Sequence, residues 1–136
     1  TIPNLSIHYG HYLESVRRMP LANPPVSGPR TVEVLDTEEK GSDVNLAVYL
    51  LLDGFQGDYE VAVIVSNDSD LLLPIQIARN TLGRMVGVLN PQKKTSRALL
   101  GAATFYKPVR AGLLIASQFP GTLQDSHGII TKPADW

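Results

Sequence analysis

The chain has 136 residues, of which 43% are hydrophobic and 18% are charged, the size and composition of one globular domain. Twelve Lys and Arg residues against thirteen Asp and Glu residues give a net charge of −1, which argues against a polybasic mode of nucleic-acid binding. The chain has no cysteine, which excludes disulfides, iron–sulfur clusters, thiolate zinc sites and cysteine nucleophiles.

No apolar run in the sequence approaches the roughly 18 residues of a membrane helix, so we expect no membrane partner. A cysteine-free chain is compatible with the cytoplasm, which is the expected location. The chain opens with Thr1 rather than Met and shows no signal peptide, and this suggests a fragment of a longer protein.

The first third of the chain predicts two strands and a loop. Leu5, Ile7 and Tyr9 alternate with polar residues, which is the pattern of a strand. Residues 20–29 are dense in proline and glycine and predict a loop. Residues 31–35 alternate again and predict a second strand.

An amphipathic helix is predicted next, because apolar residues recur with helical spacing on one face. They are Val44, Ala47, Val48, Leu51, Leu52 and Phe55. Ser42 or Asp43 is the expected N-cap, and Gly54 and Gly57 mark the end of the helix.

The second half predicts alternating strands and helices. The apolar run Val61–Val65 is typical of a parallel strand buried on both faces. A helix follows, with Pro74 in its first turn, and residues 85–89 form the next strand. Ser96 is the expected cap of a short third helix, and residues 105–109 predict a last strand.

This alternation predicts an α/β fold with a mainly parallel sheet, and right-handed crossovers are expected to place helices on both of its faces. The predicted domain covers residues 1–110. Residues 111–136 form a C-terminal tail that is expected to pack on the domain or on a partner.

Three acidic residues are expected at one edge of this sheet. Asp68 and Asp70 directly follow the strand Val61–Val65, and Asp43 starts the helix after the preceding strand. Because ligands of open α/β sheets bind beyond the carboxyl ends of the strands, these carboxylates are candidates for a site. A hard cation such as Mg²⁺ or Mn²⁺ would offset their mutual repulsion. The alternative is that all three are ordinary cap and turn residues.

Two further patterns leave alternatives open. Lys93, Lys94 and Arg97 flank a helix start, where they could hold phosphates or form a solvated face. The Asp68-Ser69-Asp70 sequence is also similar to the aspartyl pair of haloacid-dehalogenase-type phosphatases. Ser66 and Asn67 intervene between the strand and this pair, which makes the phosphatase the weaker alternative.

Two motifs in order resemble a known family. Residues 39–47 include Lys-Gly-Ser-Asp-Val and residues 63–71 include Ser-Asn-Asp-Ser-Asp. They resemble the K-G-x-D-V-x-L-A and S-G-D-S-D-F segments of the NYN domain family, in the PIN-like (FLAP-nuclease-like) superfamily. The similarity covers roughly residues 30–110, with Asn67 at the position of the usual glycine and Tyr49 at that of a further Asp.

The resemblance implies a Rossmann-like, PIN-type three-layer fold and metal-dependent cleavage of RNA with Mg²⁺ or Mn²⁺. By motif match, Asp43, Asp68 and Asp70 take the catalytic and metal-binding positions. Residues expected to bind the substrate RNA lie beside them. They are Lys40, Ser66, Asn67, Lys93, Lys94 and Arg97.

One element of the family is missing from the sequence. Members begin with a central strand that ends in Asp, and this chain has no such strand, so we expect an N-terminally incomplete domain without the first βα unit. A sheet without its central strand exposes edges and apolar surface, which predicts a homodimer. The alternative function is a non-catalytic module that binds RNA or protein on the same fold.

Overall fold

The structure is a computed structural model that describes residues 4–134. Residues 1–3 and 135–136, which the two predicted domains include, lie outside the described residues. The strands are β1 (His11–Pro20), β2 (Thr31–Lys40), β3 (Val61–Val65), β4 (Met85–Asn90), β5 (Phe105–Pro108), β6 (Thr122–Asp125) and β7 (Gly128–Thr131). The helices are α1 (Ser42–Gln56), α2 (Leu72–Asn80), α3 (Arg97–Ala102) and α4 (Ala111–Ala116), with a 3-10 turn at Ser69–Leu71 before α2.

A parallel sheet with the strand order β3-β4-β5 forms the centre of the domain. Val61 pairs with Met85 along the β3–β4 ladder, and Gly87 pairs with Phe105 along β4–β5. The strands β1–β2 and β6–β7 form two separate antiparallel hairpins. The prediction of an α/β fold with a parallel sheet is therefore confirmed.

The core lies between one face of this sheet and three helices. Every second residue of β3 and β4 points into it, and α1, α2 and α3 each contribute buried apolar side chains. The buried residues are Leu50, Ile64, Leu71, Ile75, Ala78, Val86, Val88, Leu99 and Ala102. Pro74 is buried in the first turn of α2, as predicted, where a missing backbone N–H leaves no hydrogen bond unmade.

The expectation of helices on both faces of the sheet is not confirmed for the described residues. The order β3-β4-β5 moves across the sheet in one direction, so right-handed crossovers place both connecting helices on the same side. A crossover helix on the second face would require a strand order that reverses. The described chain therefore forms two layers around its parallel sheet, and the three-layer arrangement is not seen in it.

Burial of β3 on both faces is wrong for the same reason. Ile64 is buried, whereas Val61, Val63 and Val65 are 41%, 52% and 62% exposed. Successive residues of a strand point to opposite faces, and the second face of β3 carries no helix among residues 4–134. A continuous apolar run therefore coexists with one open face.

The first predicted strand is displaced along the chain. Residues 5–9 are not a strand, and β1 instead runs over His11–Pro20, where it pairs with the whole length of β2. The loop predicted for residues 20–29 lies between these strands and is confirmed after Pro20, the last residue of β1. The predicted strand at residues 31–35 is confirmed and continues to Lys40.

Both ends of α1 depend on glycine. The N-cap is Gly41, with a φ of 102°, rather than the predicted Ser42 or Asp43, which are the first two helical residues. Gly57 ends the helix with a φ of 82°, as predicted, whereas Gly54, also predicted to mark the end, is buried inside the helix. Both are left-handed conformations that favour glycine, and Gly41 reverses the chain between β2 and α1.

Residues 111–134 contribute nothing to the core. The residues of α4, β6 and β7 are all exposed. The division into a domain of residues 1–110 and a tail of residues 111–136 stays a prediction. Within residues 4–134, the helices are all too short or too polar to cross a membrane.

Candidate functional site

The carboxyl ends of the parallel strands carry the predicted site residues. The turn of residues 66–71 follows β3, and the loop of residues 91–96, here called the basic loop, follows β4. Because β3 and β4 are adjacent and parallel, these two segments lie side by side. The structure thus brings Asn67 next to Lys94, as the hydrogen bonds below establish.

The acidic turn after β3 is built around Asp68. Asp68 Oδ1 accepts a hydrogen bond of 2.9 Å from the backbone N–H of Asp70, and so caps the 3-10 turn Ser69–Leu71. Ser66 Oγ accepts a hydrogen bond of 3.1 Å from the backbone N–H of Asp68. Asp68 is half-buried and Asp70 is exposed. The cap and turn roles considered as alternatives are therefore real for Asp68, and they engage only one of its two oxygens among the described residues.

Asp43 lies in the first turn of α1 and is exposed. The neighbouring Ser42 donates from both its backbone N–H and its Oγ to the carboxylate of Glu39, over 3.2 and 2.7 Å. Among residues 4–134, no three His, Asp or Glu side chains form a group able to hold a metal ion. The structure therefore does not gather Asp43, Asp68 and Asp70 into one cluster, and their role as metal ligands stays a prediction.

Asn67 joins the acidic turn to the basic loop. Its Nδ2 donates to Gln92 Oε1 over 3.0 Å and to the backbone oxygen of Lys94 over 2.9 Å. Its Oδ1 accepts from the backbone N–H of Ser96 and from the hydroxyl of Tyr106, each over 2.9 Å. The side chain of Asn67, which follows β3, therefore contacts the basic loop after β4 and Tyr106 of β5.

Asn90 holds the same loop from the end of β4. It is 1% exposed, and its Nδ2 donates to the backbone oxygen of Lys94 over 3.1 Å. Its Oδ1 accepts from the backbone N–H of Gln92 over 2.8 Å. Burial removes water as a partner, so these two bonds satisfy an amide that would otherwise destabilise the fold.

A polar cleft of about 520 Å³ opens between the turn and the basic loop. Its lining is Asn67, Ser69, Gln92, Lys94, Thr95, Ser96 and Arg97. Within the described part of the chain, Lys93, Lys94 and Arg97 form no ion pair, so their charges are available to a ligand. The cleft therefore places the cations of Lys94 and Arg97 beside Asn67 and Ser69, which flank Asp68 in the acidic turn.

Lys40 differs from these cations. Its ammonium pairs with the carboxylate of Glu38, and this hydrogen bond and charge hold the pKa of Glu38 below its ordinary value. The pair lies at the end of β2, on the exposed hairpin. Among the predicted substrate-binding residues, Lys40 is thus the one whose charge is already matched within the chain.

Tyr49, at the position of a further family Asp, packs against the N-terminal segment. Its ring stacks on His8, with centroids 3.7 Å apart and planes at 24°. Nearby, Asn45 Nδ2 donates to the backbone oxygen of Tyr9 over 3.3 Å. An aromatic stack therefore occupies this face of α1, close to the helix start where Asp43 lies.

Sequence reasoning missed four residues of the site: Ser69, Asn90, Gln92 and Thr95. The sequence did carry a signal for Asn90. Asparagine that ends an apolar strand and precedes proline is typical of a turn in which the side chain accepts a hydrogen bond from the backbone two residues on. Gln92 and Thr95 carried no comparable signal. Their participation depends on how the basic loop folds back over β3.

Comparison with known proteins agrees with the motifs. The family model of the NYN domain matches residues 14–110. The chain is 30% identical, over 137 aligned positions, to 6-hydroxy-3-succinoylpyridine 3-monooxygenase HspA of Pseudomonas putida (strain DSM 28022 / S16), covering 93% of this chain and 44% of that protein. The chain thus spans less than half the length of this curated relative.

A solved structure is also similar. A protein of unknown function from Vibrio parahaemolyticus RIMD 2210633 superposes with a TM-score of 0.48 and 16% identity, over 68% of this chain and 51% of the other. The family assignment depends on the sequence match instead, which covers most of the chain. The chain belongs to the NYN domain family, within the PIN-like superfamily.

Proposed function

We propose that this domain is a metal-dependent ribonuclease that hydrolyses phosphodiester bonds of RNA. The supporting observation is the cleft at the carboxyl edge of the sheet, where Asn67 and Ser69, the residues on either side of the half-buried Asp68, share a lining with Lys94 and Arg97. Asn67 and Asn90 fix the basic loop that carries Lys94. Membership of the NYN family supports a nuclease-like function for such a site.

The chemistry of the cleft suits a phosphodiester. Lys94 and Arg97 line it and can bind non-bridging phosphate oxygens, and the guanidinium of Arg97 can do so with two parallel hydrogen bonds. The free oxygen of Asp68 and the exposed carboxylate of Asp70 are acceptors that can orient a water molecule near the bound phosphate. Binding at the cations and water positioning at the acids are separate tasks of adjacent segments.

The acidic residues match a divalent cation by donor type but not by arrangement. Carboxylate oxygens are the ligands that Mg²⁺ and Mn²⁺ take in proteins, so the donor type of Asp43, Asp68 and Asp70 fits. The arrangement does not fit, since the described residues bring no three acids together. We therefore derive no step through a metal ion, and metal dependence is decided by the experiment.

The test is cleavage of a labelled single-stranded RNA with Mg²⁺, with Mn²⁺ and with a chelator. We expect Asp68→Asn to reduce the cleavage rate by roughly 100-fold or more, as removal of an acid–base group does. Asp58→Asn is the matched control, because Asp58 is exposed and precedes β3 at the opposite end of the strand. Equal cleavage by wild type and Asp68→Asn would exclude the proposed site, and cleavage unaffected by the chelator would exclude metal dependence.

A second candidate is a monooxygenase that acts on a small hydroxypyridine. It is favoured by one observation, the 30% identity to the curated monooxygenase over 93% of this chain. The distinguishing assay supplies 6-hydroxy-3-succinoylpyridine, O₂ and a reduced nicotinamide, and follows O₂ consumption. Product formation that survives Asp68→Asn, without RNA cleavage by the wild type, would favour this candidate over the ribonuclease.

A non-catalytic RNA- or protein-binding module is the remaining alternative, and RNA binding without cleavage under all metal conditions would support it. The haloacid-dehalogenase-type phosphatase is the weakest alternative, because Ser66 and Asn67 separate Asp68 from the end of β3. Asp68 also caps its own turn. The cytoplasmic location stays a prediction. So does the homodimer, which nothing in the described chain supports and which light scattering tests directly.

A further inference from the structure

The side-chain amide of Asn67 has no unused hydrogen-bonding capacity. A carboxamide offers two N–H donors and two oxygen lone pairs. Both donors of Asn67 are used, by Gln92 and by the backbone oxygen of Lys94, and both lone pairs accept, from Ser96 and Tyr106. The backbone partners fix which end of the amide is nitrogen, because a carbonyl only accepts and an N–H only donates.

No other residue type can make this set of hydrogen bonds in the same place. Glycine at the position of Asn67 would make none of the four. An ionised aspartate would keep the two accepted bonds, from Ser96 and Tyr106, and would lack the two donated ones. The basic loop of this chain is therefore attached to β3 through an interaction that depends on asparagine.

The attachment sets where the cations lie. The backbone of Lys94 accepts directly from Asn67, and Arg97 follows Ser96, whose N–H donates to Asn67. Lys94 and Arg97 line the same cleft as Asn67 and Ser69. Without these bonds, the only described hydrogen bonds that hold the middle of the loop are those of Asn90 with Lys94 and Gln92.

We propose that Asn67 is a positioning residue, which holds the basic loop so that Lys94 and Arg97 together bind a phosphate of the RNA strand next to the acidic turn. The inference rests on the proposed function, because it takes RNA as the substrate. It adds that substrate affinity depends on the order of the loop. A loop that is fixed before binding does not lose conformational freedom on binding, so its cations bind more tightly.

The experiment measures RNA binding without cleavage. The full chain carrying Asp68→Asn is titrated with a fluorescent single-stranded RNA, by anisotropy, at several salt concentrations. Asn67→Gly is then added to that background. The expected result is a Kd raised about tenfold at low salt, with a slope of log K against log salt shallower by about 0.7 for each phosphate that the variant no longer binds. An unchanged Kd and slope would overturn the inference.

Matched variants separate positioning from folding. Asn23→Gly makes the same exchange in the exposed loop after β1, and it should leave Kd and slope unchanged. Tyr106→Phe removes one of the four bonds and keeps the three to the loop, so it should bind RNA almost as tightly as the parent. If Asn67→Gly does not fold, Gln92→Ala serves in its place, with a smaller reduction in affinity expected and an unchanged slope again contradicting the inference.

A kinetic measurement adds a second criterion. In the otherwise wild-type chain, Asn67→Gly should raise KM for RNA more than it lowers kcat, because the substitution removes the bonds to the basic loop and leaves the carboxylate of Asp68 in place. A fall in kcat alone would overturn the positioning role. If the Asp68→Asn parent is folded and binds no RNA, the proposed function itself fails. Binding by the parent with no effect of Asn67→Gly refutes the inference alone.

Discussion

Asn67 and Asn90 donate to the same acceptor, the backbone oxygen of Lys94, over 2.9 and 3.1 Å. One amide comes from the turn after β3 and the other from the last residue of β4. Since β3 and β4 are paired up to Val65 and Leu89, this shared carbonyl continues the contact between the strands beyond their backbone ladder. The basic loop is thus joined by hydrogen bonds to the carboxyl edge of the sheet.

Removal of the buried amide should destabilise the domain. Asn90→Ala removes both bonds of a side chain that is 1% exposed, and leaves the backbone N–H of Gln92 without its acceptor. We expect the free energy of unfolding to fall by about 2 kcal/mol, the scale of an unsatisfied buried group. Urea unfolding measures it. The exposed Asn23→Ala should change stability by less than about 0.5 kcal/mol, and an equal effect of the two would contradict the role of Asn90.

Substitution of Asp68 by asparagine and by alanine should distinguish the capping role of its side-chain oxygen from the role of its negative charge. Asp68→Asn keeps a side-chain oxygen for the backbone N–H of Asp70, whereas Asp68→Ala removes it. Asp68→Ala should therefore lower stability by about 1 kcal/mol and Asp68→Asn by only a few tenths. Thermal unfolding of the three proteins checks this. If both variants are equally destabilised, the oxygen does not act as a cap.

The parallel core was predictable because its signals are local. Val61–Val65 is a strand by composition, Pro74 fits only a first helical turn, and Ser96 precedes a short apolar helix that it caps. Each of these features depends on neighbours within a few residues. Their order along the chain then predicts the α/β class.

Layers and long-range contacts were not predictable from those signals. Whether Val63 is covered depends on the direction in which successive crossovers move across the sheet, which the residues of β3 do not encode. Asn67 bonds to residues 25 to 39 positions away, so its sequence neighbours show only a turn. The site was found from its acids, and the element that organises its cations was found only in the fold.

The contact between α1 and Tyr59 predicts an unusual effect of substituting Gly54 on the stability of the protein. Alanine is favoured over glycine inside a helix by about 1 kcal/mol. A Cβ at Gly54, however, would lie 2.7 Å from Tyr59 Oη, which donates to the backbone oxygen of Leu50 over 2.6 Å. Gly54→Ala should therefore destabilise the protein, by about 1 to 2 kcal/mol.

A double-mutant cycle tests that cause. Burial raises the pKa of Tyr59, so its hydroxyl stays a donor at neutral pH, and Tyr59→Phe should cost about 1 kcal/mol because the hydrogen bond to Leu50 is removed. Without the hydroxyl, Gly54→Ala should be much less harmful, with a coupling of at least about 0.5 kcal/mol by urea unfolding. Strictly additive effects would show that the hydroxyl of Tyr59 is not the cause of the destabilisation by Gly54→Ala.

The hairpin end should respond to acid through Glu38. Its pKa lies below the ordinary value because Lys40 donates a hydrogen bond to it and adds positive charge, as Arg17 does. A lowered pKa in the folded state stabilises the fold above the ordinary glutamate pKa, and this contribution disappears as the pH falls through the folded value. Lys40→Met should therefore raise the pKa of Glu38 in an NMR titration. The effect should shrink in high salt, since the pair is exposed, and an unchanged pKa would contradict the ion pair.

The ring of Phe105 makes a second glycine sensitive. Gly87 and Phe105 are partners in the β4–β5 ladder, and a Cβ at Gly87 would lie 2.0 Å from Phe105 Cζ. The ring thus occupies the space that a side chain would need, on the face of the sheet that is otherwise open. Gly87→Ala must displace the ring and should lower stability by about 1 to 3 kcal/mol. Gly101→Ala is the control, because Gly101 lies in α3 with open space around it. This substitution should stabilise the protein by about 1 kcal/mol. In a Phe105→Ala background the penalty at Gly87 should disappear, and thermal unfolding that shows the same penalty with and without the ring would exclude this cause.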